Sequence, residues 1–372
     1  MHNCFICQLK YRMYKVSIEP HWRIAFGKKP PIDTALLLRL LTVIHTEGAI
    51  LQAAKILGLS YRHAWGLLRE AENIFGAPLL QKHRGRGTTL TRLGTTLLWA
   101  DRRINARLSP TLESLSSELE RELSRSISDS TSPVRLYASY GFAVAALMKR
   151  INEIELPVEL RYLNSMESIA AFSQKECELA GFHVPIGAFE TETVQLFMQY
   201  LCPKRHQLIH LAHLKQGLLV APNNPKKIRE LEDITRSGVR FVNRQTGSGT
   251  RRTLELLLEK NNIPHHAING FEIAEFTHAA VAAYIASNMA DVGFGVETAA
   301  RHFGLDFVPL MQERYFFAVC KHEWQNAPIN DVLNIMRSED FKQHVNELGG
   351  YDAKDAGQVL SLKEAFGASV SA

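Results

Sequence analysis

Long apolar runs are missing from this 372-residue sequence. No stretch approaches the roughly 18 uncharged apolar residues that a bilayer-spanning helix needs. Segments such as Gly141 to Met148 are far too short. The opening stretch MHNCFICQLKYRMYK lacks a long apolar core and a small-residue cleavage site, so export is not expected. Cysteine is sparse. Cys4, Cys7, Cys177, Cys202 and Cys320 are scattered and odd in number, which excludes a disulfide framework and fits a reducing cytoplasm. Cys4 and Cys7 form a single CxxC beside His2 without further ligands at metal spacing, and the stretch before Met13 reads as a loose extension. Catalytic signatures are lacking too. The sequence has no paired carboxylates, no G-x-S-x-G elbow, no dinucleotide or P-loop glycine pattern and no metal motif, so no catalytic residue, metal or enzymatic activity is expected.

What is present is an ordinary globular mix, 46% hydrophobic and 22% charged, long enough for two or three domains. The formal net charge of +5 conceals a partition. Residues 1–108 hold 17 Lys/Arg against 6 Asp/Glu, a net of +11; the remainder holds 26 against 32, a net of −6. A basic front on an acidic body suits a chain of which one part meets a polyanion.

Tyr14 to Phe26 alternates like β structure, interrupted at Pro20. After Pro30-Pro31, Asp33 is placed to cap a helix from Thr34 to Thr46 with Leu36, Leu37, Leu40, Leu41 and Ile44 on its apolar face. A short helix from about Ile50 to Leu57, the turn Gly58-Leu59-Ser60 and a third helix from Tyr61 to Phe75 capped by Ser60 form a helix-turn-helix. Tyr61, Arg62, His63 and Arg69 are left for its outer face. Gln81 to Thr91, with Lys82, Arg84 and Arg86 interleaved with glycine, has the character of a basic hairpin that touches phosphates. The segment GAILQAAKILGLSYRHAWGLLREAENIFGAPLLQKHRGRGTTLTRLG resembles the winged helix-turn-helix domain of LysR-type regulators, and more closely that of molybdate-responsive regulators. That resemblance implies a dimeric transcription factor whose Tyr61–Glu72 helix enters the major groove.

From Thr95 the chain reads as one long helix. Ile104, Leu108, Leu112, Leu115, Leu119 and Leu123 form a near-heptad seam, with Pro110 as a point of kink or break. Two readings stand for it, a dimerisation helix or an amphipathic helix packed on its own chain, and the first is favoured. Ser124 to Pro133 is a polar linker.

Beyond the linker, strand-like and helical stretches alternate: Val134–Ala138, Gly141–Asn152, Val158–Leu163, Met166–Glu176, Leu179–Phe182, Gly217–Ala221, Val239–Val242, Gly249–Asn261, Ala290–Phe294 and Val296–Phe303. Tyr315–Cys320 reads as a late buried strand and Ile329–Leu348 as a final helix. Alternation of this kind predicts an α/β domain of parallel units. Its sharpest segment, FVNRQTGSGTRR from Phe241 to Arg252, runs from strand through a glycine- and hydroxyl-rich turn into a helix whose free N–H groups suit an anion. NRQTGSGTRRTLELLLEKNNI, EFTHAAVAAYIASNMADVGFGVETAA and YFFAVCKHEW are similar to the type-2 periplasmic-binding-protein fold in its molybdate- or tungstate-binding branch. The resemblance implies two lobes closing on a small ligand, with the chain crossing near Met198–Cys202 and returning near Leu305–Pro309. It carries the ligand positions onto Ser139, Tyr140, His183, Ser248, Gly249, Thr250, Thr277 and His278. Tyr140 departs from the histidine that relatives often place there, which leaves the ligand open. Arg244 and Arg251 lie nearby in sequence, and the hydroxyls, amides and histidines suit an oxyanion or a small carboxylate. His265, His266 and His302 read as surface or packing residues.

The expected architecture is α+β and α/β in separate domains. A winged helix-turn-helix occupies 14–94 and a linker helix with its linker 95–132. A two-lobed periplasmic-binding-protein-like domain occupies 133–372, with lobe I at about 133–200 and 305–372 and lobe II at about 201–304. The expected function is a cytoplasmic, effector-responsive regulator. It binds a double-stranded DNA operator as a homodimer or homotetramer, with no cofactor and no membrane. Its effector is a molybdate- or tungstate-like oxyanion or a small carboxylate. The DNA contacts are Ser60, Tyr61, Arg62, His63, Arg69, Lys82, Arg84 and Arg86. The rival is a cytoplasmic solute-binding protein without DNA-directed regulation, which the basic hairpin disfavours.

Overall fold

In the computed structural model the described residues are 14–27, 31–83, 87–127 and 133–367. They divide into two compact units, Glu19–Leu108 and a second built from residues 14–18 with those from Ser109 onward. The first unit thus starts later and ends later than the expected 14–94, and the expected 95–132 connector is shared between the two. Among the described residues no helix is long and apolar enough to cross a membrane.

The first unit opens on β1 (Arg23–Ile24), antiparallel to β2 (Ile32–Asp33), a much shorter extended piece than Tyr14–Phe26. α1 (Thr34–Glu47) buries Leu37, Leu38, Leu40, Leu41 and Ile44. Each such side chain contributes about 1.5–3 kcal/mol on burial. α2 (Ile50–Ile56) brings the small Ala53 and Ala54 into the same core. Gly58, at φ +68, then reverses the chain in left-handed backbone that a residue with a Cβ resists. α3 (Tyr61–Phe75) follows, adding Ala64, Leu68 and Ala71 to the core. β3 (Leu80–His83) and β4 (Gly87–Leu90) pair antiparallel as the wing, whose tip lies outside the described residues. The Thr88 N–H donates to the Gly48 carbonyl at 2.7 Å and moors the wing to the α1–α2 turn. α4 (Arg92–Ile127) starts before the expected Thr95 and runs through Pro110 as one helix, so of the two readings of Pro110, a kink or a break, the break does not occur.

In the second unit, α4 from Ser109 onward seals a sheet edge. β5 (Val134–Ala138), α5 (Phe142–Glu153) and β6 (Val158–Tyr162) follow, and β6 is the outermost strand on its side. Its outward N–H groups at Leu160 and Tyr162 donate to the hydroxyls of Ser117 (2.8 Å) and Ser114 (3.0 Å), two α4 residues one turn apart. An uncovered edge would recruit another strand, and here serines cover it. Arg121 adds an ion pair to Glu159 at 2.8 Å. The opposite side of α4 stays apolar and open: Leu108, Leu115, Leu119 and Leu123 are all about two-fifths exposed. Both expected roles for this helix therefore have a face.

α6 (Ser165–Ser173), β7 (Leu179–Pro185) and α7 (Glu190–Met198) lead into β8 (His206–Val220), a fifteen-residue strand. β9 (Phe241–Arg244), α8 (Gly249–Lys260), β10 (Ala274–Glu275), α9 (His278–Ala286), β11 (Val292–Val296) and α10 (Glu297–His302) build the second lobe. β12 (Asp306–Cys320) returns, again fifteen residues long. The order β10-β9-β11-β8-β12-β7-β5-β6 is parallel at both ends and antiparallel where β8 and β12 lie side by side. The sheet is thus mixed rather than purely of parallel units.

The chain does not leave the first lobe at Met198–Cys202, which only ends α7. The change comes inside β8, which pairs with β12 along its length: on its other side residues from Gln216 to Val220 pair with β11, whereas earlier ones pair with β13 (Tyr351–Asp352) and β14 (Val359–Ser361). The return falls at an irregular register between Pro309 and Met311 in β12, at the edge of the expected Leu305–Pro309. The expected final helix is two, α11 (Ile329–Arg337) and α12 (Glu339–Glu347), because Ser338 takes extended backbone and its Oγ accepts from the Phe341 N–H. A C-terminal α13 (Leu362–Phe366) completes the unit. One large core crosses both lobes under the long strands, and two smaller ones fill the outer faces.

Candidate functional site

In the first unit α3 starts where Ser60 turns its hydroxyl back on the helix and accepts the His63 N–H at 3.1 Å. With Ala64, Leu68 and Ala71 inward, Tyr61, Arg62, His63 and Arg69 are exposed. Half-buried Trp65 organises this face. The Tyr61 ring stacks on it at 6.4 Å with planes 8° apart. The Arg69 guanidinium lies 5.3 Å from its ring centre, and the Lys82 ammonium, reaching across from β3, 4.5 Å. Residues 61, 65 and 69 share one helical stripe. Trp65 was not singled out from the sequence, although that four-residue spacing carried the signal. Arg62, Arg69 and Lys82 form no ion pair among the described residues, so their charge faces solvent. Arg84 and Arg86 lie outside the described residues.

In the second unit two helix N-termini face each other. Ser248 caps α8 by accepting the Arg251 N–H (3.2 Å), and Thr277 caps α9 by accepting the Ala280 N–H (2.9 Å). Just past the caps, Thr250 Oγ1 and His278 Nε2 are 3.4 Å apart, so two positive dipole ends meet. His278 is buried, its Nδ1 has no partner among the described residues, and burial, then Arg244, then His183 hold its pKa well below 6.5. The imidazole is neutral at pH 7. Gly295 makes room for it: a Cβ there would come within 2.9 Å of Nδ1.

Arg244, at the end of β9, is the charge of this cleft. It is buried, and among the described residues its guanidinium makes one hydrogen bond, from Nη2 to the Phe276 carbonyl at 2.8 Å. Nε and Nη1 have no partner among the described residues. Burial lowers its pKa to about 10. No carboxylate counteracts that shift, so the site keeps a cation with two donors unspent. Such a group costs several kcal/mol unless an anion meets it.

His183 on β7 enters from the first lobe. Its Nδ1 is 3.2 Å from the Glu313 carboxylate, a close contact without hydrogen-bond alignment, and its ring abuts Tyr315 edge-on at 4.5 Å. Ser139 Oγ bonds to the Tyr315 hydroxyl at 3.4 Å. Glu313 is itself buried, accepting from Gln216 Nε2 (2.6 Å) and from Thr253 Oγ1 (3.5 Å). This carboxylate on β12 therefore joins α8 of one lobe to β7 of the other.

The structure thus brings together His183, Ser248, Thr250, Thr277 and His278, with Ser139 linked through Tyr315, and Gly249 open at the α8 tip. Tyr140 turns elsewhere. It packs on Tyr162 at 4.9 Å and bonds to Ser109 of α4, and burial first and Glu113 second raise its pKa to about 12. Glu313, Gln216, Thr253 and Tyr315 were not anticipated, because their meeting depends on how β8 and β12 lie together. Arg244 was noticed only as a neighbour; the sequence could not reveal that it lacks a partner.

Residues 36–95 match the bacterial regulatory helix-turn-helix proteins of the lysR family, and residues 145–337 match the PBP superfamily domain. The uncharacterized protein YvgK of Bacillus subtilis is 31% identical over 204 residues, 54% of this chain and 64% of that protein. The molybdenum transport protein ModE of Azotobacter vinelandii is 30% identical over 152 residues, 37% of this chain and 54% of that protein. The chain therefore spans just under two thirds of YvgK and about half of ModE. Among solved structures, Vibrio fischeri DarR in complex with DNA aligns over 80% of this chain and 96% of its own, at 12% identity and a TM-score of 0.41.

Proposed function

Since the chain belongs to the PBP superfamily and joins that domain to a lysR-family regulatory helix-turn-helix, we propose that it is a DNA-binding transcriptional regulator controlled by a small anion. One pairing carries this reading: an exposed cationic face on α3 and the wing in one unit, and a buried guanidinium without an anion in the other. Arg62, Arg69 and Lys82 meet phosphates, while Tyr61 and the start of α3 lie against base edges in the major groove. The open leucine face of α4 pairs two copies, so that two winged units reach two half-sites.

The effector sits at the tips of α8 and α9. Arg244 supplies its counter-charge, and Ser248, Thr250, Thr277 and helix N–H groups supply donors. Neutral His278 donates or accepts according to tautomer. This donor set fits a tetrahedral oxyanion of the molybdate or tungstate kind, or a small carboxylate. Similarity to ModE over part of its length favours the oxyanion. The anion acts by favouring one arrangement of subunits over another, which requires different affinities for the two.

The test is DNA binding by the full chain to its own upstream region, with molybdate, tungstate, sulfate and formate each added. Tight, salt-sensitive binding that Arg62→Ala and Lys82→Ala both weaken, and that one anion alters, is the expected outcome. Binding untouched by both substitutions sinks the assignment of the α3 face. A response to every anion that survives Ser248→Ala with Thr250→Ala sinks the cleft.

A further inference from the structure

Away from the anion cleft, three side chains converge that neither the cleft nor the winged unit uses. His210 and His213 stand on β8, and Asp355 in the turn between β13 and β14. On a regular strand, residues three apart face opposite sides. Here the pairing with β12 steps from Ala212↔Tyr315 to His210↔Phe316, which leaves Leu211 as an extra, unpaired residue. Such a bulge re-aims the side chains around it. Leu211 and Ala212 both enter the large core, and the two imidazoles turn to the other face with ring centres 4.6 Å apart. Asp355 is framed by backbone: the His210 N–H donates to the Gln358 carbonyl and the Gly357 N–H to the His210 carbonyl, both at 2.9 Å. Arg337 Nε holds the Gly357 carbonyl from the far side at 2.9 Å.

His213 Nε2 lies 3.4 Å from Asp355 Oδ2, and one donor atom from each of the three residues falls within 4.8 Å of the others. His210 is buried, yet neither of its ring nitrogens has a hydrogen-bond partner among the described residues. A neutral imidazole carries one N–H and one lone pair, and leaving both unmet in a protein interior is rare.

We propose that His210, His213 and Asp355 bind one divalent transition-metal ion of the Zn²⁺ class, with a coordination position left for water. Two imidazoles and one carboxylate are borderline donors, suited to Zn²⁺, Co²⁺ or Ni²⁺ and not to the all-oxygen preference of Mg²⁺ or Ca²⁺. Tetrahedral ligands on bonds of about 2.0–2.1 Å stand roughly 3.3 Å apart, the spacing His213 and Asp355 already have. The half-buried side chains of His213 and Asp355 can rotate to close the remaining gap on His210. Arg314, whose charge reaches His210, is taken up by Glu190 and the Ala365 carbonyl, and Asp352 adds a second carboxylate beside His213. The ion would staple the C-terminal segment to one of the two strands that cross between lobes. This inference is independent of the anion cleft.

Chelator-treated full-length protein is titrated with Zn²⁺ and, separately, Co²⁺, whose visible bands report its ligands. One ion per chain is expected at micromolar metal. His213→Gln and Asp355→Asn, both at half-buried positions, should each weaken binding by more than the roughly 10- to 100-fold that even an outer-shell change costs, and alter the Co²⁺ spectrum. Cys4→Ser with Cys7→Ser, which removes the other candidate ligand pair, should leave binding intact. The proposal is overturned if no Zn²⁺ is retained, if both cleft-distant variants bind as the parent does, or if only the cysteine variant loses the ion.

Discussion

The two units treat positive charge in opposite ways. The Glu19–Leu108 unit holds Arg62, Arg69 and Lys82 in water, the last two seated on the face of Trp65. The second unit buries Arg244 behind two helix tips and gives it one carbonyl. Exposed cations are already solvated, so a polyanion gains on them mainly by releasing counterions, and the gain falls with salt. A buried guanidinium has lost its water and gains only from an anion that fits the donors around it, with little screening. Surface charge therefore serves reach and rate, and buried charge serves selection.

Breaking the buried half has the largest expected effect. Arg244→Met should cost about 2–5 kcal/mol of anion affinity, a factor of roughly 30 or more. The anion-free protein should be as stable as the parent or more so, since an unpaired buried charge is removed. Thermal unfolding with and without molybdate and tungstate reads both. Lower stability with an undiminished anion response would refute the assignment.

Salt sharpens the contrast. DNA affinity should fall steeply with ionic strength, and Arg62→Ala, Arg69→Ala and Lys82→Ala should each reduce the log–log slope by about 1. Anion binding by the second unit should barely respond over the same range. A parallel decline in both, measured by titration, would erase the distinction.

Acid provides a third comparison. His206, His210 and His278 in the second unit have pKa values lowered by burial, against His45 in the first. In the unfolded chain each takes up its proton near pH 6.5, whereas in the folded one it resists doing so. The unfolded state then binds more protons below that pH. The stability from keeping them neutral is thus present above about pH 6.5 and declines as pH falls toward the folded values, by at most about 1.4 kcal/mol per unit per histidine. Urea unfolding should show the second unit losing more than the first between neutral and mildly acidic pH. Trp22, Trp65 and Trp99 report the first unit and Trp324 the second.

The smallest effect concerns the seat rather than the charge. Trp65→Leu should weaken DNA binding by about 0.5–1 kcal/mol for each displaced cation and leave the salt slope unchanged. A changed slope would mean that Trp65 does more than hold Lys82 and Arg69 in place.

Much of the winged unit was legible because its instructions are local. Helix periodicity, the Ser60 cap and the Gly58 turn act within a few residues of one another. The long strands were not legible. His206–Val220 and Asp306–Cys320 showed only as Gly217–Ala221 and Tyr315–Cys320, since bulges and changing neighbours break the alternation that marks a strand. The seam on α4 was visible, but the serines at 114 and 117 that cap β6 looked like ordinary surface residues. Of the cleft, the capped turn at Ser248 could be read directly, whereas Tyr140 turned toward α4 and Glu313 entered unannounced.

Sequence by itself determined the charge partition, the helices of the winged unit and the glycine- and hydroxyl-rich turn that starts α8. These rest on composition and on contacts between near neighbours. Tertiary structure alone decided which charges go unanswered. Whether Arg244 meets a carboxylate, and whether one unpaired residue at Leu211 swings two histidines onto the same side as Asp355, depends on segments far apart in the chain. Burial and the absence of a partner are properties of packing, and no single segment carries them.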